Sequence, residues 1–224
     1  GPHAHAKTFV SLGYDGLSMT LSSVNPNSDE SDLQQGVTKG TDAQFRFNFE
    51  KFSLDGFYQS YRGYYLTNAS SLDLKDGNNY PLYPEMESRH TGLGFTYNFC
   101  DKDFSLPAAL DMSEKQTASG WAWLVAGALS QHHVSNTATL IPSKYSGTYG
   151  DFERFRNADL WSLRIGGGLG GSLVLFDHFS MSAVFMIYFG EQYHQMKVAD
   201  GSMSTNTVNA SGVSLKASTG WNAE

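Results

Sequence analysis

Alternation constrains this chain more than any other feature. Phe45, Phe47 and Phe49 alternate with Arg46, Asn48 and Glu50. Successive side chains of a β-strand point to opposite faces, so this run is a strand with one apolar and one polar face. The same period recurs along the whole length. Leu93, Phe95, Tyr97 and Phe99 alternate with Gly92, Gly94, Thr96 and Asn98. Phe179, Met181, Ala183, Phe185, Ile187 and Phe189 share one face of another run. The longest strongly apolar stretch, Trp121 to Leu129, falls far short of the roughly 20 residues of a membrane-spanning helix. A transmembrane strand needs only about 9–11 residues, alternate ones apolar. Such a protein can be as polar overall as a soluble one, so the mean hydropathy of -0.34 fits either.

Composition agrees with a β fold. The 224 residues include 23 Gly, 15 Phe, 12 Tyr and 4 Trp; strands use aromatics and tight turns use glycine. With 15 basic against 22 acidic residues the net charge is -7, and Lys and Arg form no cluster. Binding a phosphate backbone needs such a cluster, so a nucleic-acid partner is not expected. Cys100 stands alone at the edge of a turn, cannot form an internal disulfide, and reads as a small half-buried residue. The run Gly166-Gly167-Gly168-Leu169-Gly170-Gly171 lacks the strand–turn–helix setting of a nucleotide fingerprint. It reads as a place where strands bend or pack close, at a barrel corner or beside a lumenal plug. No cofactor is expected.

The strand candidates are Lys7–Tyr14 and Leu17–Val24 around the hairpin signal Asp15-Gly16, then the Phe45–Phe49 run, Phe52–Leu66, Glu87–Phe99 and Phe104–Leu110. A strand from Trp121, Leu160–Phe176, Phe179–Met196 and Val208–Trp221 follow. That makes about ten strands. Long polar loops at 25–42, 67–86 and 136–157 tend to alternate with short turns near 51, at 100–103 and at 177–178. The expected fold is an all-β, antiparallel, up-and-down transmembrane β-barrel in one domain, residues 1–224. A soluble sandwich or lipocalin-like barrel also alternates, but with shorter and more even connections. Tyr14, Tyr64, Tyr65, Trp121, Trp161 and Tyr193 suit interfacial girdles. Gly1 to Ala6 reads equally as a tag remnant or as native residues before a strand, and an exported protein implies a signal removed or outside this sequence.

One segment resists the scheme. If the short turns all lie at one end, Phe104 to Asn136 must run in one net direction, yet it is far too long for one strand. Either it reverses once more at Asp111–Ser119, or part of it folds into the lumen. The irregularity is expected at Asp111 to Gln116.

Candidate chemistry is sparse. Ser113, Glu114, Lys115 and Gln116 form the best polar cluster. They read as a lumenal constellation that binds a ligand or plugs the pore, against a structural salt-bridge plug or a solvated loop; a buried Glu and Lys would need partners or water. Ser130 and His132 lie two apart on one strand face, the pairing a nucleophile needs in a barrel-type lipid hydrolase, but no third member or oxyanion donor can be named. His132 and His133 point to opposite faces, which disfavours a shared metal. Asp29, Glu30, Asp32, Asp73 and Asp76 make acidic loops with calcium-type oxygen ligands but no EF-hand spacing, so solvated loops are the default.

Several segments resemble a known family. Tyr58-Gln59-Ser60-Tyr61-Arg62-Gly63-Tyr64-Tyr65-Leu66 resembles the "YYQxYxGYYL" strand of DUF4421, a domain of unknown function common in Bacteroidetes. Pro81-Leu82-Tyr83-Pro84-Glu85-Met86 is similar to its "YPLRPDL", Phe104 to Gly120 to its "FSYRAAFxQSExQKKSAGS", and Leu140-Ile141-Pro142-Ser143 to its "SxIPS". The resemblance covers nearly the whole chain in order. It implies an outer-membrane barrel with no assigned activity. Pro107 stands where the family has Arg, and Thr117-Ala118 where it has Lys-Ser, so a role resting on those basic residues has no counterpart here. The resemblance also implies one or two further strands after Trp221-Asn222, making around twelve in all.

The expected function is therefore a non-enzymatic bacterial outer-membrane barrel with a structural, assembly or small-solute role. Its partners would be outer-membrane lipid or lipopolysaccharide, with protein partners at the long loops. A barrel-type lipid-modifying hydrolase and a soluble all-β binding module are the alternatives.

Overall fold

The structure, a computed structural model, describes residues 6–14, 16–25, 36–66, 80–110, 113–137, 155–176, 178–198 and 201–221. Its strands are β1 (Ala6–Tyr14), β2 (Leu17–Asn25), β3 (Lys39–Asn48), β4 (Phe52–Tyr65), β5 (Leu82–Asn98), β6 (Gly120–Ser135), β7 (Phe155–Leu175), β8 (Phe179–Val198), β9 (Met203–Asn209) and β10 (Gly212–Trp221). Helix α1 (Leu106–Leu110) lies between β5 and β6. All the strands join one sheet, and each from β1 to β8 pairs antiparallel with the next. β9 pairs with the 191–197 half of β8 and β10 with its 179–188 half. Across the break between them the Ala210 N–H donates to the Gly190 carbonyl at 2.9 Å. β9 and β10 are thus one pass of the meander, interrupted at 210–211.

The expected up-and-down antiparallel sheet is present, but its ten strands arise differently. The segment Phe104–Leu110 is not a strand. Phe104, Leu106, Pro107, Ala108 and Ala109 are all buried, so the segment has no polar face to alternate. Ser105 starts the helix: its Oγ accepts the Ala108 N–H at 3.1 Å, an N-cap contact. Pro107 lies in the first turn, where its missing N–H costs nothing. The tenth strand comes instead from the break between β9 and β10. β3, β5 and β7 also begin inside stretches that read as loop, at Lys39, Leu82 and Phe155. In the extensions of β3 and β7 the outward residues are polar, for example Lys39 and Thr41 or Asn157 and Asp159. Pairing continues there without any apolar alternation to reveal it.

The two faces of the sheet are chemically distinct. Trp121, Leu163, Ile165, Phe189 and Leu215 point outward and are 58%, 61%, 67%, 64% and 70% exposed. The inner face of β6 carries Ala122, Leu124 and Ala126, and that of β8 carries Val184 and Met186. These residues meet Phe104, Leu106 and Ala109 in the protein's apolar core. The connection between β5 and β6 therefore folds inward, as one of the two sequence-based options required. α1 touches β4 as well as β8 and β10. Three strands separate β4 from β8, so the sheet must curl around the helix.

Polar side chains tie this plug to its wall. Gln116 donates to the carbonyls of Asp103 and Ala118 at 3.1 and 2.8 Å and accepts the Ser105 N–H at 2.9 Å. Asn98 donates to the Phe104 carbonyl at 2.6 Å, and Ser218 of β10 donates to the Ala109 carbonyl at 3.1 Å. Gly170 leaves room for the Phe104 ring: a Cβ there would overlap it. The glycine run thus permits close packing beside an inward plug, as its composition suggested. Cys100 is half-buried against the same core.

Removing the Phe104 ring should destabilise the fold by about 3–5 kcal/mol, the usual cost of emptying a buried aromatic site. Gly170→Val should also destabilise, by overpacking the same place. Lys115→Ala, at an exposed position beside the plug, should stay within about 0.5 kcal/mol. Denaturant midpoints followed by tryptophan fluorescence would check this; equal midpoints for all three would mean that the plug adds no stability.

Candidate functional site

The inner face carries two polar levels above the plug. The lower centres on Arg46 of β3 and Asp55 of β4, whose Nε and Oδ1 lie 2.5 Å apart. Along the sheet, Asp55 is followed in register by Gly94, Ala128 and Arg164. The two small residues leave a cavity between Asp55 and Arg164, to which Thr96, Tyr188, Ser214 and Lys216 also contribute. The Arg164 guanidinium lies 6.0 Å from the Tyr188 ring centre.

Two glycines make that arrangement fit. At Gly166 a Cβ would come within 2.6 Å of the Tyr188 ring, and at Gly190 within 2.7 Å of Arg164 Cγ. The Tyr188 ring therefore lies over Gly166 of β7, while the Arg164 stem lies over Gly190 of β8. The break between β9 and β10 sits beside Gly190. Interruptions of this kind re-aim side chains and favour functional sites.

The upper level is a belt of hydrogen-bonding groups. Gln44 and Gln59 donate to the two carboxylate oxygens of Asp42, at 3.1 and 2.9 Å. His90 and His132 face each other across β5 and β6, ring centres 5.3 Å apart. His132 Nε2 lies 2.9 Å from Ser88 Oγ. Ser130 and His132 share the inner face as the alternation required, but the partner of the imidazole is Ser88, on the neighbouring strand. Among the described residues no carboxylate bonds His132. His133 turns outward, where its Nδ1 lies 2.8 Å from Asp159 Oδ1, so the two histidines do occupy opposite faces.

The cluster at 113–116 divides. Ser113, Glu114 and Lys115 are exposed, whereas Gln116 is buried and bonds the backbone of the plug. Glu114 accepts the Ser105 hydroxyl at 2.7 Å. No ion pair joins Glu114 to Lys115 among the described residues, and the plug they flank is apolar. The acidic loop residues Asp29, Glu30, Asp32, Asp73 and Asp76 lie outside the described residues.

Arg46, Asp55, Arg164 and Lys216 were not apparent as a group in the sequence. Each comes from a different strand, and only the register assembles them. An inward charge within an otherwise alternating strand was the available signal, and Arg46 within the Phe45–Phe49 run shows it most clearly.

On the outer face, ion pairs gather toward the long-loop end. Arg62 pairs with Glu85, and Arg89 with Glu87. Gln131 joins His133 on Asp159, donating at 3.2 Å. Below them the outward residues are mostly apolar down to the short turns, Thr219 of β10 being a polar exception.

No curated protein and no solved structure matches this chain. The family model described as "Domain of unknown function (DUF4421)" matches residues 1–224, so the chain belongs to the DUF4421 family.

Proposed function

We propose that this DUF4421 protein is a non-enzymatic β-barrel protein of a bacterial outer membrane. The apolar outer face carries the reading. Soluble monomers rarely expose contiguous apolar patches beyond about a few hundred Å², yet large apolar side chains stand exposed on the outside of most strands, including β1, β5, β6, β7, β8 and β10. On β6 the band runs from Trp121 to Leu129, and on β8 from Phe179 to Phe189. These stretches match the about 9–11 residues with which a tilted strand crosses a bilayer. Beyond the band, toward the long connections, come Gln131, His133 and Glu191, with Arg89 and Asp159 on neighbouring strands. Charges are costly in hydrocarbon and acceptable at the headgroup boundary. Trp161 and Tyr193 near that upper edge, and Tyr14, Trp121 and Trp221 near the turns, suit aromatic girdles.

A soluble binding module would need these faces to meet in a core, and the exposure of the apolar residues speaks against it. In barrels of the proposed kind, short turns face the periplasm and longer loops the exterior. Lipid, including lipopolysaccharide at the outer boundary, is then the partner of the outer face, and protein partners would engage the long connections. The β5–β6 connection would obstruct the lumen from the periplasmic side, which argues for a structural, assembly or solute-holding role over free diffusion. The Ser88–His132 contact favours a second reading, a lipid-modifying hydrolase. In that case activity would vanish in both Ser88→Ala and His132→Ala and persist in Ser130→Ala.

The protein should require detergent for extraction and should migrate differently on gels before and after boiling. Full solubility without detergent would remove the membrane reading. In planar bilayers the protein should give no large steady conductance; porin-sized steps would show that the plug does not obstruct the lumen.

A further inference from the structure

We propose that the lower chamber of the inner face binds a small free anion bearing phosphate, which enters from the long-loop side. The proposal rests on the reading above only in taking the inner face as the wet side. Arg46, Arg164 and Lys216 bring three cations to this level, against the one carboxylate of Asp55. Asp55 already accepts from Arg46. The described structure gives Arg164 the face of Tyr188 and no carboxylate. Lys216 lines the same cavity, likewise without an ion pair among the described residues. A local excess of positive charge in a chain of net charge -7 points to an anion as the missing partner.

The donor set suits phosphate. A guanidinium offers a planar fork matching two phosphate oxygens, and an ammonium adds a point charge. The hydroxyl-bearing residues Thr96, Tyr188 and Ser214 line the same space. On its plug side the space is bounded by Ala126, which belongs to the apolar core, and by Tyr188, which packs against that core. An apolar boundary lowers the local dielectric and strengthens attraction between fixed cations and an anion. The site is also built: Gly166 and Gly190 make room for the Tyr188 ring and the Arg164 stem.

The test is calorimetric titration of the whole protein, in zwitterionic detergent, with inorganic phosphate. Saturable binding is expected, at least tenfold weaker in Arg164→Gln and in Lys216→Gln, and unchanged in Lys115→Gln. If Arg164→Gln fails to fold, Arg164→Lys carries the test: it keeps the charge but loses the fork, and a several-fold loss is expected. Absence of saturable binding overturns the proposal, as does undiminished, wild-type affinity in the Arg164 and Lys216 variants. So does binding seen only with phosphatidate in mixed micelles, which would make a lipid headgroup the ligand. If wild-type protein still shows heat-dependent migration while phosphate fails to bind, this site is lost and the barrel reading stands; loss of that migration would sink the barrel reading itself.

Discussion

The seating of Phe104 against β7 is the contact on which the interior depends. The ring occupies the space left by Gly170, and around it gather Leu124 of β6 and Val184 and Met186 of β8. The outer face buries little and the inner face is largely polar, so this plug holds the apolar core. It also fixes curvature, because one short helix reaches β4 on one side and β8 and β10 on the other. Gln116 and Asn98 satisfy the irregular backbone of the connection, whose buried polar groups would otherwise be costly to leave unpaired. Gln116 is thus a structural residue, although its sequence neighbours suggested a polar site.

The topology follows from where the chain turns back. Since β9 and β10 share one pass, β1 and the β9–β10 pass run in the same direction. An antiparallel seam between those two edges would need an odd number of passes inserted between them. The interruption at 210–211 also divides β8's neighbour by environment. β10 beside the core continues the apolar outer face with Val213, Leu215 and Trp221, whereas outward positions on β9 include Thr205, Thr207 and Asn209. The break therefore falls near the level at which the outer surface of β8 changes from Phe189 to Glu191.

Much of this architecture is legible in the sequence. Alternation locates β1, β2, β4 and β8 closely, because one face of each is apolar and the other mostly polar. The irregular stretch after Phe104 is recognisable because one net direction cannot hold so many residues. The segment Phe104–Leu110 misleads for a physical reason: burial on every side erases the period that separates helix from strand. The start of β3 is missed for the opposite reason, since both its faces are polar; that of β7 turns polar Asn157 and Asp159 outward, and that of β5 holds Pro84 and pairs through a register shift. Ser88 as the partner of His132 is invisible without the β5–β6 register, because strand contacts between distant segments leave no local pattern. The family resemblance, by contrast, was carried by contiguous motifs and agrees with a family model spanning the chain.

The same logic explains why no motif marks the chamber. A site on a loop or helix terminus concentrates its residues in a short stretch, and spacing betrays it. A site on the inside of a meander draws one residue from each pass, so Asp55, Arg164 and Lys216 are far apart in the chain and adjacent only across strands. What is local is the support: Gly190 beside the break at 210–211, Gly166 beneath Tyr188, and Gly94 and Ala128 keeping the space open. Small residues on the inner face of an otherwise aromatic-rich sheet are therefore the better guide to where such a protein has room for a ligand. The charges then indicate what kind of ligand that room suits.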